Sequence, residues 1–254
     1  MIIMLNIAKK AALAAGDVIE SYFDTLTNVE SKDAAGKDLV TQADREAERA
    51  IKDIVLNAYP DHGFWGEETG QTGIDREYVW VVDPLDGTSN FILHLPMYSV
   101  SIALMHNKEV ILGVVYIPKT KELFWAEKGT GAFCNGTPIS VSQTSQLGHS
   151  VCSVEYWSKE DSYRTEGLKD FVHFANTTKK IRYLSSTVFE LCRVAKGDLD
   201  FCLLDSFFLD IAAAKLIVEE AGGTCMLFSG EKIFPHTDKK LLRILTSNGL
   251  LHVV

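Results

Sequence analysis

The feature that most constrains the fold is a short acidic turn at the end of an apolar strand. The run Trp80–Val82 is strand-like and is followed directly by Asp83-Pro84-Leu85-Asp86-Gly87. Pro84 holds the preceding residue in an extended conformation and blocks continuation of the sheet ladder, because it has no N–H to donate. Gly87 permits the tight turn that follows. We therefore expect the two carboxylates and the intervening Leu85 carbonyl to converge on one point.

Oxygen ligands of this kind select Mg²⁺ or Mn²⁺ rather than zinc or copper. The chain carries a net charge of −9 with its lysines and arginines scattered, which argues against nucleic acid as a main partner. A phosphorylated ligand would therefore need a bound cation to reverse the local field. The backbone N–H groups of Gly87 and Thr88 lie where a helix or turn could begin, which is a natural cradle for phosphate. The alternative is that these residues are simply turn formers.

Two further groups of acids occur elsewhere in the chain. Glu67 and Glu68 follow the short apolar run Gly63–Trp65, and Asp210 opens a helix-like stretch. A solvated loop would explain the first pair, and a helix N-cap would explain Asp210. Because buried acids without a partner or a cation are costly in free energy, the three groups together indicate a site more strongly than any one of them.

The hydrophobic pattern is helical at first, then strand-like, then mixed. It predicts helices over Leu5–Phe23 and Thr41–Ala58, the second with a cap formed by Thr41 and Asp44. The predicted strands are Val79–Val82, Ser99–Met105, Val110–Ile117 and Leu123–Ala126, and the later helices are Tyr163–Ala175, Thr187–Ala195 and Asp210–Ala221. Residues Gly129–Pro138 are expected to form turns. This order favours an α+β or layered α/β fold.

Length and composition limit the class of protein. With 254 residues, 46% of them hydrophobic, we expect one domain over residues 1–254, with lobes near 1–140 and 141–254. No apolar run approaches the roughly 18–20 residues of a membrane span, so no membrane association is expected. The five cysteines lie far apart, with neither a disulfide framework nor a zinc spacing, which favours a cytoplasmic location.

Four ordered blocks of the sequence resemble the inositol monophosphatase family of Mg²⁺-dependent, lithium-sensitive phosphatases. The blocks are Asp38–Asp44, Gly66–Glu68, Trp80–Phe91, and Asp210–Ala214 with Glu219–Gly223. The resemblance implies an α-β-α-β-α sandwich of the inositol monophosphatase and fructose-1,6-bisphosphatase type, usually assembled as a homodimer. It also implies hydrolysis of inositol monophosphate, or of related sugar and polyol phosphates, by a metal-activated water.

The same resemblance implies roles for particular residues. The metal ligands would be Glu67, Asp83 and the Leu85 carbonyl for one ion, Asp83, Asp86 and Asp210 for a second, and Glu67 again for a third, weaker ion. Thr88, hydrogen-bonded to Asp44, would help Glu67 orient the attacking water. The substrate contacts would be Asp86, Gly87, Thr88, Ser186, Thr187 and Asp210. Two or three Mg²⁺ ions are the expected cofactor, with Mn²⁺ as a substitute and Li⁺ and Ca²⁺ as inhibitors.

The sequence departs from the family in the parts expected to face the substrate. Where inositol-specific enzymes carry a glutamate that contacts ring hydroxyls, this chain has Leu203, and Asp205 is an acid that could partly replace it. A leucine in the pocket wall would give a broader or shifted substrate range. Alternatively, Leu203 is an interior strand residue that faces the core. Lys32 or Lys37 would lie over the metals on a loop, Ser31–Asp38, that we expect to be mobile.

Three functions stay open at this point. The first is a phosphomonoesterase acting on inositol phosphate or related phosphates. The second is a fructose-1,6-bisphosphatase or a dual-specificity enzyme. The third is a catalytically weak regulatory binding protein of the same fold. The intact acids favour an enzyme, because a non-catalytic descendant has no reason to retain all of them.

Overall fold

The computed structural model of the protein describes residues 2–25, 29–31, 39–156, 161–235 and 240–253. The helices of this part are α1 (Ile2–Tyr22), α2 (Gln42–Ala58), α3 (Thr88–Ile92), α4 (Asp161–Thr177), α5 (Thr187–Lys196) and α6 (Phe208–Glu220). The strands are β1 (Val29–Ser31), β2 (Leu39–Thr41), β3 (Gly63–Gly66), β4 (Gly70–Thr72), β5 (Tyr78–Asp86), β6 (Ser99–His106), β7 (Glu109–Ile117), β8 (Glu122–Glu127), β9 (Ala132–Cys134), β10 (Thr137–Ile139), β11 (Val151–Val154), β12 (Lys180–Arg182), β13 (Phe201–Ser206), β14 (Thr224–Leu227) and β15 (Leu242–Ser247). The expected loop with Lys32 and Lys37 lies outside the described residues, apart from Ser31 at the end of β1.

Two main sheets organise the molecule. The eight-stranded sheet has the order β10-β9-β8-β7-β6-β5-β3-β4 and is antiparallel except for the pair β3–β5. The five-stranded sheet has the order β12-β11-β13-β15-β14, with β11 parallel to both of its neighbours. Residues 63–139 supply the first sheet and residues 151–247 the second. The strands β1 and β2 form a separate antiparallel ladder.

The helices fill three layers around these sheets. On β5, alternate side chains face opposite sides of the sheet, so that Trp80 and Val82 pack with α1 and α2 while Val79 and Val81 face α5 and α6. The helices α5 and α6 lie between the two sheets, and α4 packs on the outer face of the five-stranded sheet. The layers thus form the expected α-β-α-β-α sandwich.

The predicted helices and long strands are confirmed with small shifts at their ends. Helix α2 has the predicted cap, in which the Asp44 carboxylate accepts a hydrogen bond from the backbone N–H of Thr41 and the Thr41 side chain caps the first turn of the helix. The region Gly129–Pro138, expected only to turn, contains parts of β9 and β10, because three-residue strands are too short to show a period of two. All five cysteines are buried and free. No described helix combines the length and apolar character needed to cross a membrane.

Candidate active site

Strand β5 buries the acidic turn rather than ending before it. The strand continues through Pro84 to Asp86, and its pairing with β6 shifts register between Asp83 and Asp86, where the two residues Pro84 and Leu85 of β5 oppose the single residue Val100 of β6. Such a bulge absorbs an extra residue and re-aims the side chains beside it. The expectation that Pro84 ends the ladder was therefore wrong, because the bulge accommodates the missing N–H and pairing resumes beyond it.

The two aspartates of β5 lie among other acids. Burial raises the pKa of Asp83 well above its usual range, and the charges of three neighbouring acids raise it further. Those neighbours are Glu67, Asp86 and Asp210. Burial also raises the pKa of Asp86 to about 7, although a hydrogen bond from Ser186 opposes the rise. The acids from three separate segments of the sequence therefore share one electrostatic site.

Hydrogen bonds fix the two aspartates from several elements. Oδ2 of Asp86 accepts from the Ser186 hydroxyl and, at 3.1 Å, from the backbone N–H of Val188, so the start of α5 is tied to the end of β5. Oδ1 of Asp83 accepts from the Leu85 N–H at 3.0 Å.

Ser186, an expected substrate contact, is buried and uses its hydroxyl on Asp86, whereas Thr187 beside it is partly exposed.

The hydroxyl of Thr88 is held at the first residue of α3. Its Oγ1 lies 3.2 Å from Oδ1 of Asp44 and 3.0 Å from the Leu85 carbonyl oxygen, so the hydrogen bond to Asp44 that the resemblance implied is present. Gly87 precedes it with a φ of 84°, in the left-handed region. A Cβ at Gly87 would lie 2.8 Å from the Met97 carbonyl oxygen, so this turn requires glycine.

The two remaining acids come from two other elements. Asp210 is the third residue of α6, not its N-cap, and its Oδ2 accepts from the Ser206 hydroxyl at 2.7 Å and the Phe207 N–H at 3.1 Å. Glu67 lies in the turn between β3 and β4, where its side chain is exposed and its N–H donates to the Val82 carbonyl at 3.1 Å.

The donor set fits a divalent cation of the Mg²⁺ type. Carboxylates and a backbone carbonyl are hard oxygen donors, and the mutual repulsion of the buried acids is relieved by a positive ion. Within the described part of the chain, no three acidic, histidine or cysteine side chains are already grouped closely enough to hold one ion. The fit therefore rests on donor chemistry and on electrostatics, not on a preformed cage.

Asn90 is a buried residue of this site whose contribution the sequence did not reveal. Its side-chain nitrogen lies 2.8, 2.8 and 3.1 Å from the carbonyl oxygens of Met97, Leu184 and Ser185. It thus ties α3 to the segment that leads into α5 and Ser186. In the sequence Asn90 is a polar residue between Ser89 and Phe91, which does not identify a partner 94 residues away.

Comparison with known proteins agrees with this geometry. The model of the inositol monophosphatase family matches residues 3–252, which is nearly the whole chain. This chain belongs to the inositol monophosphatase family. It is 35% identical over 224 residues to the fructose-1,6-bisphosphatase/inositol-1-monophosphatase of Aquifex aeolicus, which covers 88% of this chain and 85% of that protein.

Two further members of the family show the range of similar proteins. Nus factor SuhB of Escherichia coli K12 is 37% identical over 229 residues, 89% of this chain and 86% of that protein. The structure of inositol monophosphatase from Anabaena (Nostoc) matches with a TM-score of 0.84 at 33% identity, over 97% of this chain and 90% of that one. Family and relatives together indicate a phosphatase of the inositol monophosphatase and fructose-1,6-bisphosphatase type.

The position where inositol-specific members of the family carry a glutamate lies in the core. Leu203 is fully buried beneath α4 with Cys152, Phe174 and Phe201. Asp205, two residues on, has both carboxylate oxygens 3.1 Å from Nη1 of Arg243. The interpretation of Leu203 as a pocket wall was therefore wrong, since β13 turns this face toward α4, and Asp205 is used in an ion pair.

Proposed function

We propose that the protein is a Mg²⁺-dependent phosphomonoesterase that hydrolyses inositol monophosphate or a related sugar or polyol phosphate. The observation that supports this most is the burial of Asp83 and Asp86 among other acids, beside the Thr88 hydroxyl that Asp44 holds. A loose phosphoryl-transfer transition state needs mainly positioning and charge neutralisation, which such a site supplies without a nucleophilic side chain.

The residues proposed to hold two or three Mg²⁺ ions come from three segments: the turn between β3 and β4, strand β5 and helix α6. They are Glu67, Asp83, the carbonyl of Leu85, Asp86 and Asp210. When bound, such ions lower the pKa of a water molecule and stabilise the leaving oxygen of the substrate. The backbone N–H groups of Gly87 and Thr88 are the proposed contacts for the phosphate group.

Thr88 and Glu67 are proposed to aim the attacking water. The Thr88 hydroxyl has two oxygen acceptors for its one proton, Oδ1 of Asp44 at 3.2 Å and the Leu85 carbonyl at 3.0 Å. The lone pairs of the hydroxyl are then available to accept a hydrogen bond from water. The exposed carboxylate of Glu67 can accept the second proton of the same water, so that its oxygen is directed at phosphorus.

The names of the relatives support two other functions. The relative from Aquifex aeolicus is named for fructose-1,6-bisphosphatase as well as inositol-1-monophosphatase, and the relative from Escherichia coli is named as a Nus factor. A dual-specificity enzyme and a catalytically weak regulatory protein are therefore the alternatives. Membership of the family also supports a cytoplasmic homodimer. Sedimentation equilibrium of the purified protein tests its oligomeric state.

Phosphate release from a panel of esters separates these functions. We expect Mg²⁺-dependent release from myo-inositol 1-phosphate, with fructose 1,6-bisphosphate and glycerol 2-phosphate as comparison substrates and a chelator as the control. Preference for fructose 1,6-bisphosphate would favour the dual-specificity enzyme. Absence of release from every ester, by protein that is folded and binds Mg²⁺, would favour the regulatory protein.

Inhibition by lithium tests the proposed second cation position. Li⁺ at about tens of millimolar, a concentration suited to displacing a weakly held Mg²⁺, should lower turnover in an uncompetitive or mixed manner. Ca²⁺ should also inhibit, and Mn²⁺ should support activity. Purely competitive inhibition against the substrate would contradict the proposed position of the lithium-sensitive ion.

A further inference from the structure

We propose that Glu48, a buried glutamate of α2, is a positioning residue that fixes the backbone of the turn carrying Glu67. Because this role assumes that Glu67 takes part in the proposed hydrolysis, it rests on that function. Neither the sequence pattern nor the family resemblance assigns a role to Glu48. The role follows from the contacts that Glu48 makes in the structure.

Both oxygens of Glu48 accept hydrogen bonds from the turn. Oε2 accepts from the backbone N–H of Glu68 and Oε1 from that of Thr69, each at 2.8 Å. The side chain of Glu48 is fully buried, so these bonds are shielded from water. Hydrogen bonds to a buried carboxylate are stronger than those between neutral groups, and a bidentate arrangement fixes orientation as well as distance.

The turn is thereby held on both sides of Glu67. The N–H of Glu67 itself donates to the Val82 carbonyl of β5 at 3.1 Å. Three successive N–H groups, those of residues 67–69, therefore have fixed acceptors on β5 and α2. The side chain of Glu67 stays exposed and can reach a ligand while its backbone cannot shift.

Gly66 gives independent support for the closeness of this contact. A Cβ at Gly66 would lie 2.4 Å from Oε2 of Glu48, a separation that real atoms do not adopt. The backbone before Glu67 thus runs directly against the Glu48 carboxylate, and only a residue without a side chain permits it.

Helix α2 then positions both groups proposed to flank the attacking water. Asp44 and Glu48 are four residues apart, on one face of the helix and separated by about 6 Å of axial rise. Asp44 holds the Thr88 hydroxyl, and Glu48 holds the turn of Glu67. One rigid helix therefore sets the spacing of Thr88 and Glu67.

The test compares Glu48→Gln with Glu46→Gln. Glu46 lies on the same helix and its side chain is exposed. A glutamine replaces one of the two acceptor oxygens by an NH₂ group, so that in this geometry a donor faces one of the two backbone N–H groups. We expect hydrogen–deuterium exchange of the peptide covering residues 66–72 to quicken at least tenfold in Glu48→Gln without metal. We also expect the Mg²⁺ concentration for half-maximal activity to rise at least fivefold. Glu46→Gln should match the wild type in both measurements.

Gly66→Ala provides a second variant, which keeps the charge of Glu48 but displaces its carboxylate. It should show the same faster local exchange and the same raised Mg²⁺ requirement as Glu48→Gln. Mn²⁺ binding, followed by electron paramagnetic resonance, gives a readout that does not need turnover. Unchanged exchange in Glu48→Gln would overturn the positioning role, as would faster exchange spread evenly over the whole chain. If the wild type binds Mn²⁺ but hydrolyses no ester, the proposed function fails while the exchange result still decides whether Glu48 fixes the turn.

Discussion

Buried acids on the two main sheets have opposite surroundings. On the eight-stranded sheet, Asp83 is only 3% exposed, and the charges that act on it are those of three other acids. On the five-stranded sheet, Asp205 is 6% exposed, but both its oxygens lie 3.1 Å from a guanidinium nitrogen of Arg243. Arg243 also bonds to Asp170 of α4, so the second group joins a helix to the sheet.

The difference shows what a buried carboxylate contributes in each place. An acid that faces an arginine is neutralised by the chain itself, and the pair holds two elements together. An acid that faces other acids destabilises the fold unless a proton or a cation neutralises it. Burial alone therefore does not distinguish Asp83 from Asp205, whereas the sign of the charges beside each of them does.

Neutralising an acid of the first group should have the largest effect, and on activity rather than stability. Asp83→Asn should lower kcat by about 10³-fold or more, because the site loses a charge proposed to hold the cations that stabilise the transition state. Without Mg²⁺, its free energy of unfolding should be unchanged or higher, since one repelled buried charge is gone. Phosphate-release kinetics and urea unfolding in chelator measure the two effects. A variant that keeps most of its Mg²⁺-dependent activity would contradict the metal role of Asp83.

Introducing an acid into the second sheet without a partner should destabilise the fold. Leu203→Glu places a carboxylate in the core beneath α4 and should lower the free energy of unfolding by about 3–5 kcal/mol. Leu203→Met, which keeps the volume, is the control and should cost less than about 1.5 kcal/mol. Thermal or urea unfolding gives both values. An improved preference for inositol phosphate over glycerol phosphate at unchanged stability would restore the pocket-wall interpretation.

Removing the cation of the second group should take away the positive charge that faces both oxygens of Asp205. Arg243→Met should lower the free energy of unfolding by about 3 kcal/mol. Adding Asp205→Asn to it should recover part of the loss, because position 205 then no longer carries the buried charge that Arg243 balanced. A double-mutant cycle of urea unfolding measures the coupling. Additive effects of the two substitutions would show that Asp205 and Arg243, which face each other on neighbouring strands β13 and β15, do not stabilise one another.

Much of the fold could be predicted because its main elements are long and periodic. Strands β6 and β7, predicted over Ser99–Met105 and Val110–Ile117, and helix α2 with its cap are examples. The face of β13 could not be predicted, since alternation shows that Leu203 and Phe201 share a face but not which layer covers it. The sequence therefore left open whether Leu203 faces the pocket or the core.

The candidate site shows the same division between local and distant information. The aspartates of β5 stand three residues apart beside a proline and a glycine, so the electrostatic interaction between them was predictable from the sequence. The contacts that hold the turn of Glu67 and the Asp86 side chain were not predictable, because Glu48 meets its partners 20 and 21 residues away and Ser186 meets Asp86 across 100 residues. Long-range pairs of this kind depend on how layers stack, which no local pattern records.

Ser186 gives the smallest predicted effect and links the two regions, since it lies at the start of α5 and bonds to Asp86 of β5. Ser186→Ala should lower kcat/KM by about tenfold, as expected for losing one hydrogen bond to a carboxylate. If Ser186 acts by holding Asp86, this loss should be equal for inositol 1-phosphate and glycerol 2-phosphate. If its hydroxyl instead contacts the substrate, the loss should differ between the two esters. Thr187→Val, at the partly exposed neighbour, is the matched control. If the loss of kcat/KM in Thr187→Val depends on the ester while the loss in Ser186→Ala does not, Thr187 contacts the substrate and Ser186 aligns Asp86.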